Sequence, residues 1–559
     1  MVSQVEQQLF DCIEGKRHFI LDAGAGSGKT WTLVETLKYV IKNKGEELQQ
    51  NNQKIVCITY TNVAKNEIIE RTDNNSLILV NTIHDFLWDC IKCFQKELKV
   101  KLLEIILRKL SEAQSEQITK KRKDTIIYRE LTEKIEKYTN AIEVLESQNK
   151  KIEYKSFTNY AKGIFSHDDL IIIAEKMFSS YSKLNKIITD SYPFIFVDEY
   201  QDTQKETIHI LLRHLQGSRD FVLGFFGDKL QQIYDTGIGE IPEEFILEKI
   251  KKEENYRSSI EVISLLNKIR IDIRQYQPEK NKQTGNIEFY YQPDINTLNS
   301  KNFIENNLIA KWCLEKSEDV KVLYLTHRLI AKENQYYEFY EPHKEYNDVI
   351  IKNKDNRGKY PHVDFLFDIE DIIEFYNENN IQALLKKIDH YSLNSFFSKQ
   401  YLTKSIKELI EIRNKGKIEH VIDFTINRNI ILKSDKMKNY DFEDADKKQF
   451  YDELMKLDYS QFIRFYNVNQ SSTPFSTQHG TKGDEFDNVL VVIDDNAWNK
   501  YSFNDYFSNI NSNESRIKRS KNLFYVVCSR ARKNLAILFT SELSEAAQLQ
   551  VRSWFGEIQ

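Results

Sequence analysis

No stretch of the 559 residues approaches the roughly 18 consecutive apolar positions that a membrane-spanning helix requires, so no helical membrane anchor is expected. Nothing in Met1–Phe10 pairs a charged segment with an apolar one, which argues against a secretory leader and makes the cytoplasm the default compartment. Cysteine is sparse. The six residues Cys12, Cys57, Cys90, Cys93, Cys313 and Cys528 are scattered and read as reduced thiols rather than a disulfide framework. Cys90 and Cys93 form a lone C-x-x-C without a second pair or a histidine cluster, which falls short of a metal site. Positive charge is not in excess either. The formal net charge of -5 gives no global signal for nucleic acid, although a basic groove can lie within an acidic total. Internal repeats and low-complexity tracts are absent.

What remains is a globular composition, 41% hydrophobic and 29% charged with 30 Tyr and 33 Phe, in a chain long enough for three or four domains. Short apolar segments at Arg17–Leu21, Lys54–Thr59, Leu77–Val80, Phe194–Val197 and Phe221–Phe226 read as strands, with helical patterns between several of them. That alternation predicts an α/β fold with a parallel, doubly wound sheet. A second series, Val320–Thr326, Val489–Asp494 and Leu535–Thr540, predicts a second unit of the same kind. Each unit is interrupted. Residues 94–156 contain neither Gly nor Pro and are rich in Lys, Glu, Leu and Ile, which predicts a helical hairpin inserted into the first unit. Residues 334–470 are polar with helical patterning and split the second. The expected domains are 1–93 with 157–265, and 266–333 with 471–559, carrying insertions at 94–156 and 334–470.

Ala23-Gly24-Ala25-Gly26-Ser27-Gly28-Lys29-Thr30 follows an apolar strand and precedes a helical pattern, the context a phosphate-binding P-loop requires. Glycines let the backbone wrap so that successive N–H groups and the helix N-terminus face the phosphates. Lys29 is suited to neutralise the β- and γ-phosphates of ATP, and the Thr30 hydroxyl to ligate Mg²⁺. The strand Phe194–Val197 runs into Asp198 and Glu199. Asp198 is the expected second holder of Mg²⁺, and Glu199 the expected base that polarises the attacking water. An acidic pair after a strand is by itself an ordinary solvated loop; the upstream P-loop gives it this meaning.

With Tyr200-Gln201-Asp202-Thr203 added, that stretch resembles the D-E-x-Q-D signature of UvrD/Rep/PcrA-like helicases of superfamily 1. Further stretches resemble the family's motifs in the family's order: Thr59–Ala64 (Ia), Thr82-Ile83-His84 (Ib), Gly227–Tyr234 (III), Asn255-Tyr256-Arg257-Ser258 (IV), Thr477–Phe486 (V) and Tyr525–Ala531 (VI). The resemblance implies two RecA-like motor domains, each with an inserted, mainly helical accessory domain. It implies that Gln231 senses the γ-phosphate and that Arg257 and Arg530 act as arginine fingers from outside the first motor domain, with ATP between the two. Tyr256 is implied to stack on adenine and Glu485 to accept from the ribose. A glutamine near the N-terminus is implied to read the adenine edge, and Gln7 and Gln8 both fit. Single-stranded DNA is implied to touch Tyr60, Thr61, Asn62, Thr82 and His84 on the first motor, and Thr477 and His479 on the second. A histidine standing alone is more often a local structural residue; the motif around His84 favours the DNA contact.

Two departures from the family pattern stand out. After Tyr234 the chain reads Asp235-Thr236-Gly237-Ile238-Gly239, without the aromatic that stacks on a base in relatives. Asn522 and Leu523 precede Phe524 where Arg-Leu is commoner. Basic clusters at Lys120–Lys123 and at Arg413, Lys415 and Lys417 read first as solvated faces, with a duplex or partner contact as the alternative. The resemblance implies ATP-dependent 3′ to 5′ movement on single-stranded or junction DNA. The overall build also resembles the helicase-like subunits of Gabija antiphage systems, which work with an OLD-like nuclease carrying an ATPase and a Toprim domain. The alternative function is therefore a DNA- and nucleotide-sensing regulatory ATPase that partners such a nuclease and unwinds little.

Overall fold

The computed structural model describes every residue except 1–2, 60–61, 121–125, 218–219, 234–236, 294–298, 341–359, 389–395, 441, 444, 470–474, 478–482, 497–498 and 511–512. The described chain forms two compact units, residues 1–283 with 521–529 and residues 284–520 with 530–559.

The first unit is built on a six-stranded, wholly parallel sheet ordered β3-β2-β6-β7-β1-β8. Its strands are β1 (Phe19–Ala23), β2 (Ile55–Thr59), β3 (Ile78–Thr82), β6 (Phe194–Asp198), β7 (Val222–Gly227) and β8 (Glu248–Lys252), while β4 (Glu153–Tyr154) and β5 (Ile164–Phe165) pair separately. Alternation along each strand serves two cores. Ile20, Val56, Ile195, Val197, Leu223 and Phe225 point to one face, and Phe19, Leu21, Cys57, Phe196, Val222 and Phe226 to the other, so both faces are covered as a parallel sheet demands. The first face also receives the inserted hairpin. Helices Gln95–Thr119 and Ile126–Ser147 run antiparallel, since Gln117 donates to Thr132 near one end and Lys99 to the Gln148 carbonyl near the other. Leu98, Leu102, Ile105 and Ile106 from one helix and Ala141 and Leu145 from the other join the sheet's core.

The second unit holds a five-stranded parallel sheet ordered β11-β10-β12-β13-β9, formed by β9 (Asn286–Tyr291), β10 (Lys321–Tyr324), β11 (Phe475–Thr477), β12 (Phe486–Ile493) and β13 (Ala531–Phe539). Between the neighbours β10 and β11 the chain makes a helical excursion that includes Pro361–Asn377, Phe396–Lys415 and Tyr459–Asn469. The basic group there is partly neutralised. Arg413 makes a two-pronged contact with the buried Glu370 carboxylate at 2.8 and 2.6 Å, which ties two helices together. In the first unit's hairpin Lys120 pairs with Glu116, and Lys121–Lys123 lie outside the described residues.

The unit boundaries depart from the sequence expectation in two places. The first unit continues past 265 to 283 because the segment after helix Ile260–Ile269 folds back on the P-loop through Gln275. Residues 521–529 also belong to the first unit, where the Tyr525 hydroxyl and Asn522 side chain find their partners. Arg257, already inside the expected 157–265 segment, lies within the first unit, so the reading that both arginines reach in from outside it fails for Arg257; Arg530 belongs to the second.

Candidate nucleotide site and its neighbours

Parallel register brings the chemistry together. Because β1 and β6 both flank β7, with Asp22 opposite Gly227 and Asp198 opposite Phe226, the carboxyl ends of these three strands deliver Asp22 and the P-loop, Asp228, and the Asp198-Glu199 pair to one edge of the sheet. That edge is where ligands bind in open parallel sheets.

The loop itself is held from above. The Gly24 amide donates to the Lys252 carbonyl, the Ala25 amide to the Tyr525 hydroxyl (3.1 Å), and the Ala25 carbonyl accepts from Asn255 (2.9 Å) and Gln275 (2.8 Å). Gly26 sits at φ +73, and a Cβ there would lie 2.7 Å from the Arg257 Cβ and 2.8 Å from Asn255 Oδ1. Only glycine accommodates both the left-handed backbone and that approach. Lys29 begins the helix Lys29–Gln50, with Gly28 as its left-handed N-cap.

Lys29 Nζ lies 2.6 Å from Glu199 Oε1 and 3.9 Å from Asp198 Oδ1. Burial works against the ammonium, but Glu199 and then Asp198 outweigh it and hold Lys29 above the ordinary lysine range. Burial pushes the Asp198 carboxyl up to about 6 against the pull of Lys29. Glu199 occupies the left-handed region at φ 51, ψ 45, a conformation that stores about 1–3 kcal/mol in a non-glycine residue and gathers at functional sites. A relay leaves it: Gln201 Nε2 donates to Glu199 Oε2, the Asp228 amide donates to Gln201 Oε1, and Gln231 Nε2 donates to Asp228 Oδ2 at 2.8 Å.

The residues fit a magnesium nucleotide. Ser27 Oγ is buried in the loop and has no hydrogen-bond partner among the described residues, which leaves a donor ready for a phosphate oxygen. The ammonium at Lys29 and the oxygen ligands available from Thr30 and Asp198 are those a phosphate and a hard divalent cation take.

The other expected residues fall into groups. Tyr256 and Arg257 sit over the P-loop; the Tyr256 amide donates to the Gly26 carbonyl and Arg257 Nη1 to the Ser529 carbonyl at 3.2 Å. Gln7 and Gln8 lie on the exposed side of helix Gln4–Glu14, where Gln7 bonds Asp11. In the second unit Arg530 is buried and donates to the Asp484 carbonyl, and Glu485 pairs with Arg532. Thr82 N-caps the helix Ile83–Ile91, and the half-buried His84 packs edge-on to His167 with ring centroids 4.8 Å apart. Burial, and then His167, lowers the His84 pKa. Asn62 opens helix Asn62–Arg71 and Thr477 closes β11, whereas Tyr60, Thr61 and His479 lie outside the described residues.

Three features were not anticipated from the sequence. A Cβ on Gly28 would come 3.9 Å from both Trp31 Cβ and Tyr256 Cδ2, so two half-exposed aromatics, Trp31 and Tyr256, flank the P-loop. Gln275 and Tyr525 brace Ala25. Arg270 lies buried among Asp22, Asp228 and Asp272. Of the chain stretch that departs from the family after Tyr234, residues 237–239 run against the Asp198-Glu199 segment: the Ile238 and Gly239 amides donate to the Thr203 and Gln201 carbonyls. A Cβ on Gly237 would stand 2.3 Å from the Gln201 carbonyl oxygen. Gly237→Ala should therefore destabilise the first unit by about 1–3 kcal/mol, read as a lower denaturation midpoint, and an unchanged midpoint would show that the loop yields freely.

Comparison with known proteins agrees with this construction. Residues 4–241 match the UvrD/REP helicase N-terminal domain and residues 350–542 the UvrD-like helicase C-terminal domain. The Gabija protein GajB of Bacillus cereus (strain HuB5-5) is 30% identical over 98% of this chain and 97% of its own length. The chain belongs to the UvrD-like helicase family. The ATP-dependent DNA helicase PcrA of Staphylococcus aureus (strain Mu50 / ATCC 700699) is 21% identical over 85% of this chain and 75% of its own length. The helicase Rep of Buchnera aphidicola subsp. Schizaphis graminum (strain Sg) is 27% identical over 48% and 44%. The two parallel sheets are thus the RecA-like motor folds of an ATP-hydrolysing, helicase-type enzyme. Among the described residues no helix is long and apolar enough to cross a membrane.

Proposed function

We propose that this UvrD-like enzyme couples Mg²⁺-dependent ATP hydrolysis to 3′ to 5′ movement along single-stranded DNA. The observation that carries the chemical half is the convergence of Lys29, Asp198, Glu199 and Gln231 at the ends of β1, β6 and β7. Lys29 and Ser27 would hold phosphate oxygens, Thr30 and Asp198 the cation, and Glu199 would accept a proton from the attacking water while Gln231 and Arg257 face the terminal phosphate. A bound Mg²⁺ would neutralise charge on the β- and γ-phosphates. Arg530 and Glu485 keep the finger and ribose roles that the family resemblance implies, and Gln7 or Gln8 that of reading the base. The DNA track is proposed over Tyr60, Thr61, Asn62, Thr82, His84, Thr477 and His479.

The adenine would lie between Trp31 and Tyr256. Two aromatic faces contribute about 0.5–1.5 kcal/mol beyond their buried area, so Trp31→Ala should weaken ATP binding about 10-fold. ATP should also quench tryptophan fluorescence, and Trp31→Phe should remove most of that quenching; a quench that survives the substitution would place the base elsewhere.

A second reading has its own support. The near full-length likeness to a Gabija protein, and the packing of residues 237–239 against Gln201 and Thr203, favour a DNA-sensing ATPase that partners a nuclease. Steady-state ATP hydrolysis with and without single-stranded DNA, followed by strand displacement on 3′- and 5′-tailed duplexes, separates the two. Strong stimulation with unwinding from the 3′ tail is expected of the motor. Hydrolysis without displacement from either tail would favour the sensor, and co-purification of a nuclease would then be sought.

A further inference from the structure

Arg270 caps the carboxyl end of helix Ile260–Ile269, beyond every family motif, yet it is among the most deeply buried side chains in the protein. Its Nη1 lies 2.7 Å from Asp228 Oδ1, its Nη2 2.8 Å from Asp22 Oδ1 and its Nε 3.2 Å from Asp272 Oδ1. The Tyr525 hydroxyl, which accepts from the Ala25 amide, interacts electrostatically with this guanidinium. Lys229 supplies a further positive charge to Asp272 at 3.3 Å.

Each partner leads to a different part of the nucleotide site. Asp22 is the residue before the P-loop begins at Ala23. Asp228 uses its other oxygen to hold the Gln231 amide, and its own N–H meets Gln201, which in turn holds Glu199. Tyr525 fixes an amide of the loop itself. A buried ion cluster is a poor way to stabilise a fold, because desolvation consumes most of its attraction. Five N–H donors in a rigid plane are, however, well suited to hold several acceptors at fixed angles to one another.

We propose that Arg270 is a positioning residue for hydrolysis: through Asp228 it orients the Gln231 amide toward the terminal phosphate, and through Asp22 and Tyr525 it keeps that amide in register with the P-loop. The proposal rests on the reading that Gln231 faces that phosphate. Arg270 touches no substrate. A lysine keeps the charge but cannot span three carboxylates, so Arg270→Lys retains the neutralising cation while loosening Asp228.

The test uses the full chain as wild type, Glu199→Gln, Arg270→Lys, Gln231→Ala and the Arg270→Lys/Gln231→Ala double variant. Turnover and KM for ATP are measured, together with the affinities for ATPγS and ADP and the denaturation midpoint. Arg270→Lys should lower kcat by about 10- to 30-fold with KM within about 2-fold, the signature of an interaction made in the transition state. It should reduce the ATPγS-to-ADP affinity ratio to the level of Gln231→Ala, and the double variant should be no slower than the slower single variant. Multiplying losses in the double variant, or parallel loss of ATPγS and ADP binding with a lowered midpoint, would overturn the proposal in favour of a purely structural Arg270. If Glu199→Gln or Gln231→Ala left turnover and discrimination at wild-type values, the reading of the site would fail and the Arg270 proposal with it. A normal response of those two variants beside an inert Arg270→Lys would sink the Arg270 proposal alone.

Discussion

Glu199→Gln should lower ATP turnover by on the order of 10³-fold, the contribution of a positioned general base, while ATP affinity should hold or improve. The affinity half of this expectation comes from the nucleotide-free geometry. Lys29 is 2.6 Å from Glu199 and 3.9 Å from Asp198, so ATP must draw the ammonium away from one carboxylate to bring it to the phosphates. A neutral amide at 199 competes less for Lys29. The substitution also keeps side-chain length and the left-handed backbone at 199, so it isolates the loss of the charge. Lys29→Ala behaves differently. It leaves Asp198 and Glu199 adjacent without their cation, in a site where Asp198 is already reluctant to ionise, and both ATP binding and turnover should be lost. Single-turnover hydrolysis and binding of a fluorescent ATP analogue distinguish the two variants. A Glu199→Gln enzyme that turned over at the wild-type rate would remove Glu199 from the mechanism.

The legible parts of this molecule are those where one segment carries its own geometry. A P-loop is a strand, a glycine-rich turn and a helix in unbroken succession, so Ala23–Thr30 could be read directly, as could Asp198 and Glu199 at the end of an apolar strand. The strand β8 could not. Its sequence Glu-Lys-Ile-Lys-Lys lies at the sheet edge, where outward charges guard an open strand and erase the apolar signal. Arg270 was invisible for a related reason: an arginine at a helix end reads as solvated, and its partners Asp22 and Asp228 are 248 and 42 residues away along the chain. Trp31 lies one residue beyond the P-loop in a helix, where an aromatic reads as core; only the position of Tyr256 over Gly28 reveals the niche. Likewise the sequence shows that residues 235–239 lack an aromatic, but not that the backbone of 237–239 packs against Gln201 and Thr203.

Arg257→Ala should reduce turnover by about 10³-fold and change ATP affinity only a few-fold, as expected of a guanidinium that meets the terminal phosphate chiefly as charge develops on it. The surrounding structure permits a clean test. The Arg257 backbone is held independently of its side chain, by the Asn255 side chain on its amide and by Gln283 on its carbonyl, so truncation leaves the residue over Gly26 in place. Its Nη1 donates to the Ser529 carbonyl at 3.2 Å, at the long end of the normal range, a bond that can be exchanged for one to a phosphate oxygen. Arg257→Lys should recover little of the loss, because an ammonium lacks the planar pair of donors. Were the guanidinium only a clamp on Ser529, the same truncation would lower the denaturation midpoint and leave kcat within a few-fold of wild type. The ratio of rate loss to stability loss therefore decides between a group that acts on the phosphate and one that fastens residues 521–529 within the first unit.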